Sequence, residues 1–328
     1  MRRLVTVAAL IACTLPVAAQ DKAADVMKQA REALGGTKLT ELKALSLEGP
    51  FRREMGPRQV SGTMELTLQL PDKMHRSEDT EMMGGISIER LSVLNGEKTW
   101  EDMQNHGGMG GNMQIVLRNG PPGQELNPEQ VEQARLRRFR TEFNRYLLAF
   151  TGGTGLTPTF VAVAEAPEGK ADVLEVKNET GQSIRIFVDQ QTHMPLMLQY
   201  MEVRPRMMFN GPGGPGGPGG PGGPGMRGPG GPPPPDGAGA AAGAPPPPPP
   251  PPGDGPRPNP DEIRRRREAM PPPEPSQVSL YLGDFKKVDG VMLPHRLTQA
   301  IDGKTVDEWT IEKVKVNPAV KADLFDKK

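Results

Sequence analysis

Four side chains between positions 103 and 113 carry soft metal-ligating atoms: Met103, His106, Met109 and Met113. Thioethers joined by an imidazole are the donor set that suits Cu(I). The chain has 18 methionines spread along it, including the pairs Met82–Met83 and Met207–Met208, and the same side chain serves as an adaptable lining of apolar sites. Copper handling is therefore the lesser alternative. His75, His193 and His295 stand far from one another and from His106, without the short spacings that metal ligands show. A nucleophile elbow, a Walker loop and a His-Glu-x-x-His helix are absent. Thr151-Gly152-Gly153-Thr154-Gly155 lacks the lysine of a phosphate loop and follows a helix instead of opening one, so it reads as a turn. No pair among the 40 Asp and Glu residues is marked as acid and base. The sequence points to no catalytic residue and no cofactor, and the expectation is a protein that is not an enzyme.

Hiding hydrocarbon is a different chemistry, and it needs only apolar faces. Met64, Leu66 and Leu68 alternate with polar residues, and so do Ile184 and Ile186. Leu136, Phe139 and Phe143 recur at helical spacing, and Trp100 follows a hairpin signal. These nine residues are the expected lining of an apolar site, with the aromatic helix as its cover. Each of them also fits an ordinary packed core.

The elements that must position them follow from period and turn chemistry. Ala23 to Leu34 is amphipathic and ends at Gly35-Gly36, which predicts a capped helix. Strands are expected over 43–54, 61–70, 73–82, 86–94 and 97–102, with Asn95-Gly96 as a hairpin turn. Residues 103–126 show no period and read as a loop. Asn127 and Pro128 are start signals for a helix through Phe150, which Gly152-Gly153 ends. Strands follow at 157–165, 171–178, 183–189, 195–204, 277–286, 291–301 and 305–316. Consecutive hairpins predict a mainly β (α+β) fold: a curved antiparallel incomplete barrel covered by an N-terminal helix and a middle helix.

Residues 211–275 hold 25 of the 38 prolines and 18 of the 40 glycines. Five Gly-Pro-Gly triplets come first and eight consecutive prolines occupy 245–252. Such composition cannot bury a core, so a long disordered Pro/Gly-rich insertion is expected. The prolines suit a stiff rod of roughly 25 Å. Asp261 to Ala269 has the pattern of a short helix carrying Arg264, Arg265, Arg266 and Arg267, an arm suited to an anionic surface or simply a solvated charge run. Strand-like sequence resumes at Val278, which makes the segment an insertion and not a tail. The expected organisation is a signal peptide over 1–19, one half-barrel domain over 20–210 and 276–328, and the insertion over 211–275.

Met1-Arg2-Arg3, an apolar run to Leu15, and Val17-Ala18-Ala19 form the pattern of a secretory signal peptide, which places the protein in the periplasm. Leu10-Ile11-Ala12-Cys13 resembles a lipobox, so a lipid anchor on Cys13 competes with cleavage after Ala19. Once Cys13 is removed the chain has no thiol. Lys plus Arg and Asp plus Glu are each 40, a balance that argues for no nucleic-acid partner. Oligomeric state is not encoded in any of these patterns.

Several turns recur in a known order. Ala33-Leu34-Gly35-Gly36 leads to Lys38-Leu39, then Leu70-Pro71-Asp72-Lys73, then Leu94-Asn95-Gly96 and Trp100. Later come Asp284-Phe285, Val288-Asp289-Gly290-Val291, Leu293-Pro294-His295, Trp309 and Val316-Asn317-Pro318. Together they resemble exported bacterial proteins of the outer-membrane lipoprotein-sorting kind, with the LolA/LolB-like fold. The resemblance implies an incomplete barrel with helices packed in its mouth over an apolar cavity, and as partner a lipid or lipoprotein acyl group. The alternative expectation is a structural or interaction protein whose Pro-rich arm contacts envelope partners.

Overall fold

The computed structural model describes residues 15–56, 58–82, 85–106, 127–153, 156–166, 169–177, 181–203 and 274–327. Helix α1 (Leu15–Leu34) and the short α2 (Thr37–Thr40) precede five strands, β1 (Ala44–Met55), β2 (Arg58–Gln69), β3 (Lys73–Met82), β4 (Ile86–Asn95) and β5 (Lys98–His106). Helix α3 (Pro128–Thr151) follows, then β6 (Pro158–Ala166), β7 (Gly169–Lys177), β8 (Ser183–Asp189) and β9 (Pro195–Val203). The chain closes with β10 (Pro275–Val288), β11 (Val291–Ile301), β12 (Lys304–Thr310), β13 (Lys313–Val316) and a 3-10 turn over Ala322–Phe325.

All thirteen strands form one open antiparallel sheet in the order β5-β4-β3-β2-β1-β12-β11-β10-β9-β8-β7-β6, with β13 also on β1. Sequence neighbours pair throughout except at the centre, where the first strand meets the last two. Phe51 to Arg53 face Trp309 to Asp307, and Leu45 to Glu48 face Val316 to Lys313. A single strand over 305–316 was the expectation. The observed strand breaks at Ile311-Glu312, whose amides turn to the carbonyls of His295 and Glu48 on opposite sides.

Tight turns set the registers. Asp289-Gly290 and Asp302-Gly303 both have positive φ (49° and 90°, 47° and 84°), as a right-twisted two-residue hairpin requires. At the β4–β5 turn Asn95 pairs with Lys98, so Gly96 and Glu97, and not Asn95, occupy the centre. Strand β5 runs to His106, four residues into the stretch expected to be a loop. Met109, Met113 and the rest of that stretch lie outside the described residues, as do the polyproline run and the Arg264–Arg267 segment. Val203 of β9 pairs with Pro275 of β10, so residues 204–274 connect two adjacent strands.

The two edge strands, β5 and β6, are consecutive in sequence, and α3 lies between them. Its 24 residues span about 36 Å at 1.5 Å per residue, a suitable length for a strap across the concave face. An Asn127–Gln130 capping box starts it, with hydrogen bonds of 2.8 and 3.0 Å, and Gly152 ends it in the left-handed conformation. Phe139, Phe143, Leu147, Leu148 and Phe150 are buried and join Val26, Met27, Ala30 and Leu34 of α1. From the sheet come Leu66, Leu68, Ile184, Ile186, Val188 and Leu198, which complete the core. Helix α1 begins at Leu15, so the backbone of residues 15–19 is helical within the expected signal peptide.

Candidate functional site

Among the described residues nothing covers the concave face beside α3, which leaves a cavity of about 1020 Å³. Its deepest walls are Met64, Phe139, Tyr200, Leu297 and Trp309, all buried, with Leu280 half-buried beside them. Trp309 is fixed by its indole N–H, which donates to the Gly49 carbonyl at 3.1 Å. Above this apolar floor the lining is charged: Arg53, Arg76, Arg90, Arg137, Arg138 and Arg145 face Glu78, Glu142, Glu202 and Asp307.

The charges are organised around Glu78, whose side chain is only 4% exposed. Arg53 donates twice to it, at 3.1 and 3.2 Å, and Arg76 Nε lies 3.6 Å away. Burial alone would raise the Glu78 carboxyl, but Arg76 and Arg53 outweigh it and hold the group at about 2. Arg53 also donates to Asp307 at 2.6 Å. Burial raises Asp307, and Arg53 offsets this only in part because the same guanidinium serves Glu78. Arg76 reaches across to Glu142 on α3, and burial followed by Glu142 pushes the Tyr146 hydroxyl up. Arg138 and Arg90 share Glu101, and Arg145 pairs with Glu202 at 3.0 Å while stacking 3.7 Å over the Tyr200 ring. One side of α3 is thus held to the sheet by ion pairs and the other by packed aromatics.

The nine expected lining residues divide. Met64 and Phe139 reach the cavity. Leu66, Leu68, Phe143, Ile184 and Ile186 are buried in the packed core, and Leu136 is half-buried against it. Trp100 lies on the opposite face of the sheet: its strand neighbours Thr99 and Glu101 meet α3, while its own indole N–H points to the Phe325 carbonyl at 3.4 Å. Met103 and His106, three apart on a strand, likewise fall on opposite faces, and His106 Nε2 lies 3.5 Å from Glu89. Among the described residues no group of three or more His, Cys, Asp or Glu is placed to hold a metal ion.

The arginines were missed, although a signal existed. Met74, Arg76 and Glu78 share one face of β3, and Met74 is fully buried, so charge had to enter the concave side with it. On α3, Arg138, Glu142 and Arg145 form a charged stripe beside Phe139 and Phe143.

No family model matches the chain, and no curated protein does. Among solved structures it is similar to a LolA-superfamily protein from Nitrosomonas europaea, at 11% identity and TM-score 0.42 over 93% of this chain and 97% of that one. It is also similar to an outer-membrane lipoprotein-sorting protein domain from Vibrio parahaemolyticus, at 8% identity and TM-score 0.41 over 94% of this chain and 97% of that one. The class of the chain is set by its own architecture: an open antiparallel half-barrel with helices against its concave face. That is the fold its turn motifs imply.

Proposed function

We propose that this protein is a non-enzymatic binder of lipid or lipoprotein acyl chains in the bacterial envelope. The observation that carries the reading is the apolar-floored cavity of about 1020 Å³ on the concave face, at the upper end of the range typical of small-molecule sites. Burial yields about 0.8 kcal/mol per CH₂. A sixteen-carbon chain therefore gains roughly 12 kcal/mol gross, and about half of that suffices for binding in the tens of micromolar. The signal-peptide pattern supports an envelope location, and no helix among the described residues is long and apolar enough to cross a membrane.

Native mass spectrometry of the protein from a periplasmic extract is expected to show co-purifying lipid. Leu280→Trp puts an indole into the half-buried wall of the cavity and is expected to weaken fatty-acid binding at least tenfold while leaving the melting temperature nearly unchanged. Protein that arrives without lipid and does not respond to fatty acid or lipoprotein would leave the sheet a scaffold, the alternative function. For localisation, Cys13→Ala should leave gel mobility unchanged if the chain is cut at Ala19; a shift would indicate an acyl anchor at Cys13.

A further inference from the structure

We infer that the ligand's acyl chain ends in an anionic head, a phosphate or carboxylate, received by Arg137 and Arg145 on α3. The inference rests on the acyl-binding reading and deepens it. Six guanidinium groups line the cavity against four carboxylates. Arg53, Arg76 and Arg145 are paired with those four, and Arg90 and Arg138 share Glu101. Arg137 is exposed at the mouth and has no ion-pair partner among the described residues.

Arg145 brings a second guanidinium to the same lining. Its Nη1 is engaged by Glu202 and its plane rests on Tyr200, yet its Nε is buried without a hydrogen-bond partner. Arg137, Thr141 and Arg145 stand at i, i+4 and i+8, so they follow one another down the helix face that lines the cavity. Two guanidinium forks on one stripe suit bidentate recognition of phosphate or carboxylate oxygens.

Desolvation gives the same answer from the other side. A purely hydrocarbon occupant lying over the mouth would strip water from Arg137, which has no ion-pair partner among the described residues, and return no counter-charge. An amphiphile that lays its chain on Leu280, Leu297 and Trp309 and its anion against α3 satisfies both parts of the lining.

Three ligands test this on the full-length protein, read by calorimetry and, in a Trp100→Phe background that leaves Trp309 as the remaining tryptophan, by fluorescence: 1-myristoyl lysophosphatidic acid, monomyristin with the same chain and no phosphate, and inorganic phosphate. The lysophosphatidic acid is expected to bind at least tenfold tighter than monomyristin, with the advantage shrinking as salt rises. Inorganic phosphate should not saturate at millimolar concentration. In Arg145→Gln, and independently in Arg137→Gln, whose exposure keeps the fold safe, the ratio between the two lipids should fall below threefold. Equal binding of both lipids overturns the head-group assignment and leaves acyl binding standing; binding of neither overturns both. Inorganic phosphate binding as tightly as the lysophosphatidic acid makes the arginines a free-anion site and also overturns the inference.

Discussion

Glu78→Gln is expected to destabilise the protein by about 3–5 kcal/mol, the usual result of removing one partner of a buried ion cluster. The replacement has the same shape but no charge. Arg53 and Arg76 then keep only Asp307 and Glu142, and both cations remain walled in by β1, β3 and α3. The measurement is the urea midpoint at neutral pH, with the slope unchanged. A double variant, Arg76→Met with Glu78→Met, should be at least as destabilised as Glu78→Gln, because it strands Glu142 on α3, whereas Glu78→Gln leaves each arginine one carboxylate. A loss below about 1 kcal/mol for Glu78→Gln would mean water reaches the cluster and screens it.

The same residue sets an acid response. The folded protein holds the Glu78 carboxyl at about 2, below its ordinary value of 4.5. A depressed carboxylate contributes stability above its unfolded value and loses it as pH falls towards the folded one. Wild-type stability should therefore drop between about pH 5 and pH 2, by roughly 3 kcal/mol from this group. Asp307 is displaced upward, so it contributes with the opposite sign and trims the drop. In Glu78→Gln the acid-induced loss should be shallower.

A larger effect is expected at Gly49. This residue sits on β1 where the partner strand changes from β12 to β13. A Cβ there would fall 1.9 Å from the Thr310 carbonyl oxygen and 3.0 Å from the Glu312 nitrogen. Both are backbone atoms, so no side chain can move aside. Gly49→Ala must separate β1 from the terminal strands or distort them, at a cost above about 4 kcal/mol, beyond the usual range of point substitutions. Loss of soluble protein or a collapse of the thermal midpoint is the expected readout. Gly283→Ala is the matched control, since its nearest neighbour is the flexible Arg296 side chain at 3.6 Å. That variant should lie within about 1 kcal/mol of wild type. Equal behaviour of the two would mean the centre of the sheet yields far more readily than its pairing suggests.

Local features were legible in the sequence, and joins between distant segments were not. The alternation of Met64, Leu66 and Leu68, the Asp-Gly turns, and the Asn127, Pro128 and Gly152 signals belong to short windows whose physics is self-contained. The break at Ile311-Glu312 depends on Glu48 and His295, far away in the chain, so no local pattern announces it. Period two also tells which residues share a face but not what covers that face. Leu66 and Ile186, expected in a lining, lie in the packed core with residues of α1 and α3. The burial of Arg76 and Glu78 was not legible in strand 73–82 because Glu142, which pairs with Arg76, comes from α3.

The central position of β1 bears on the order in which the molecule can assemble. Its neighbours on one side, β12 and β13, are the last strands to be made; Trp309 bonds to Gly49 across 260 residues of chain. Until those strands arrive, β1 keeps an open hydrogen-bonding edge and the two wings of the sheet have no shared seam. Closing contacts of such separation is slow. A chain arranged this way completes the centre of its sheet only once β12 and β13 have joined β1.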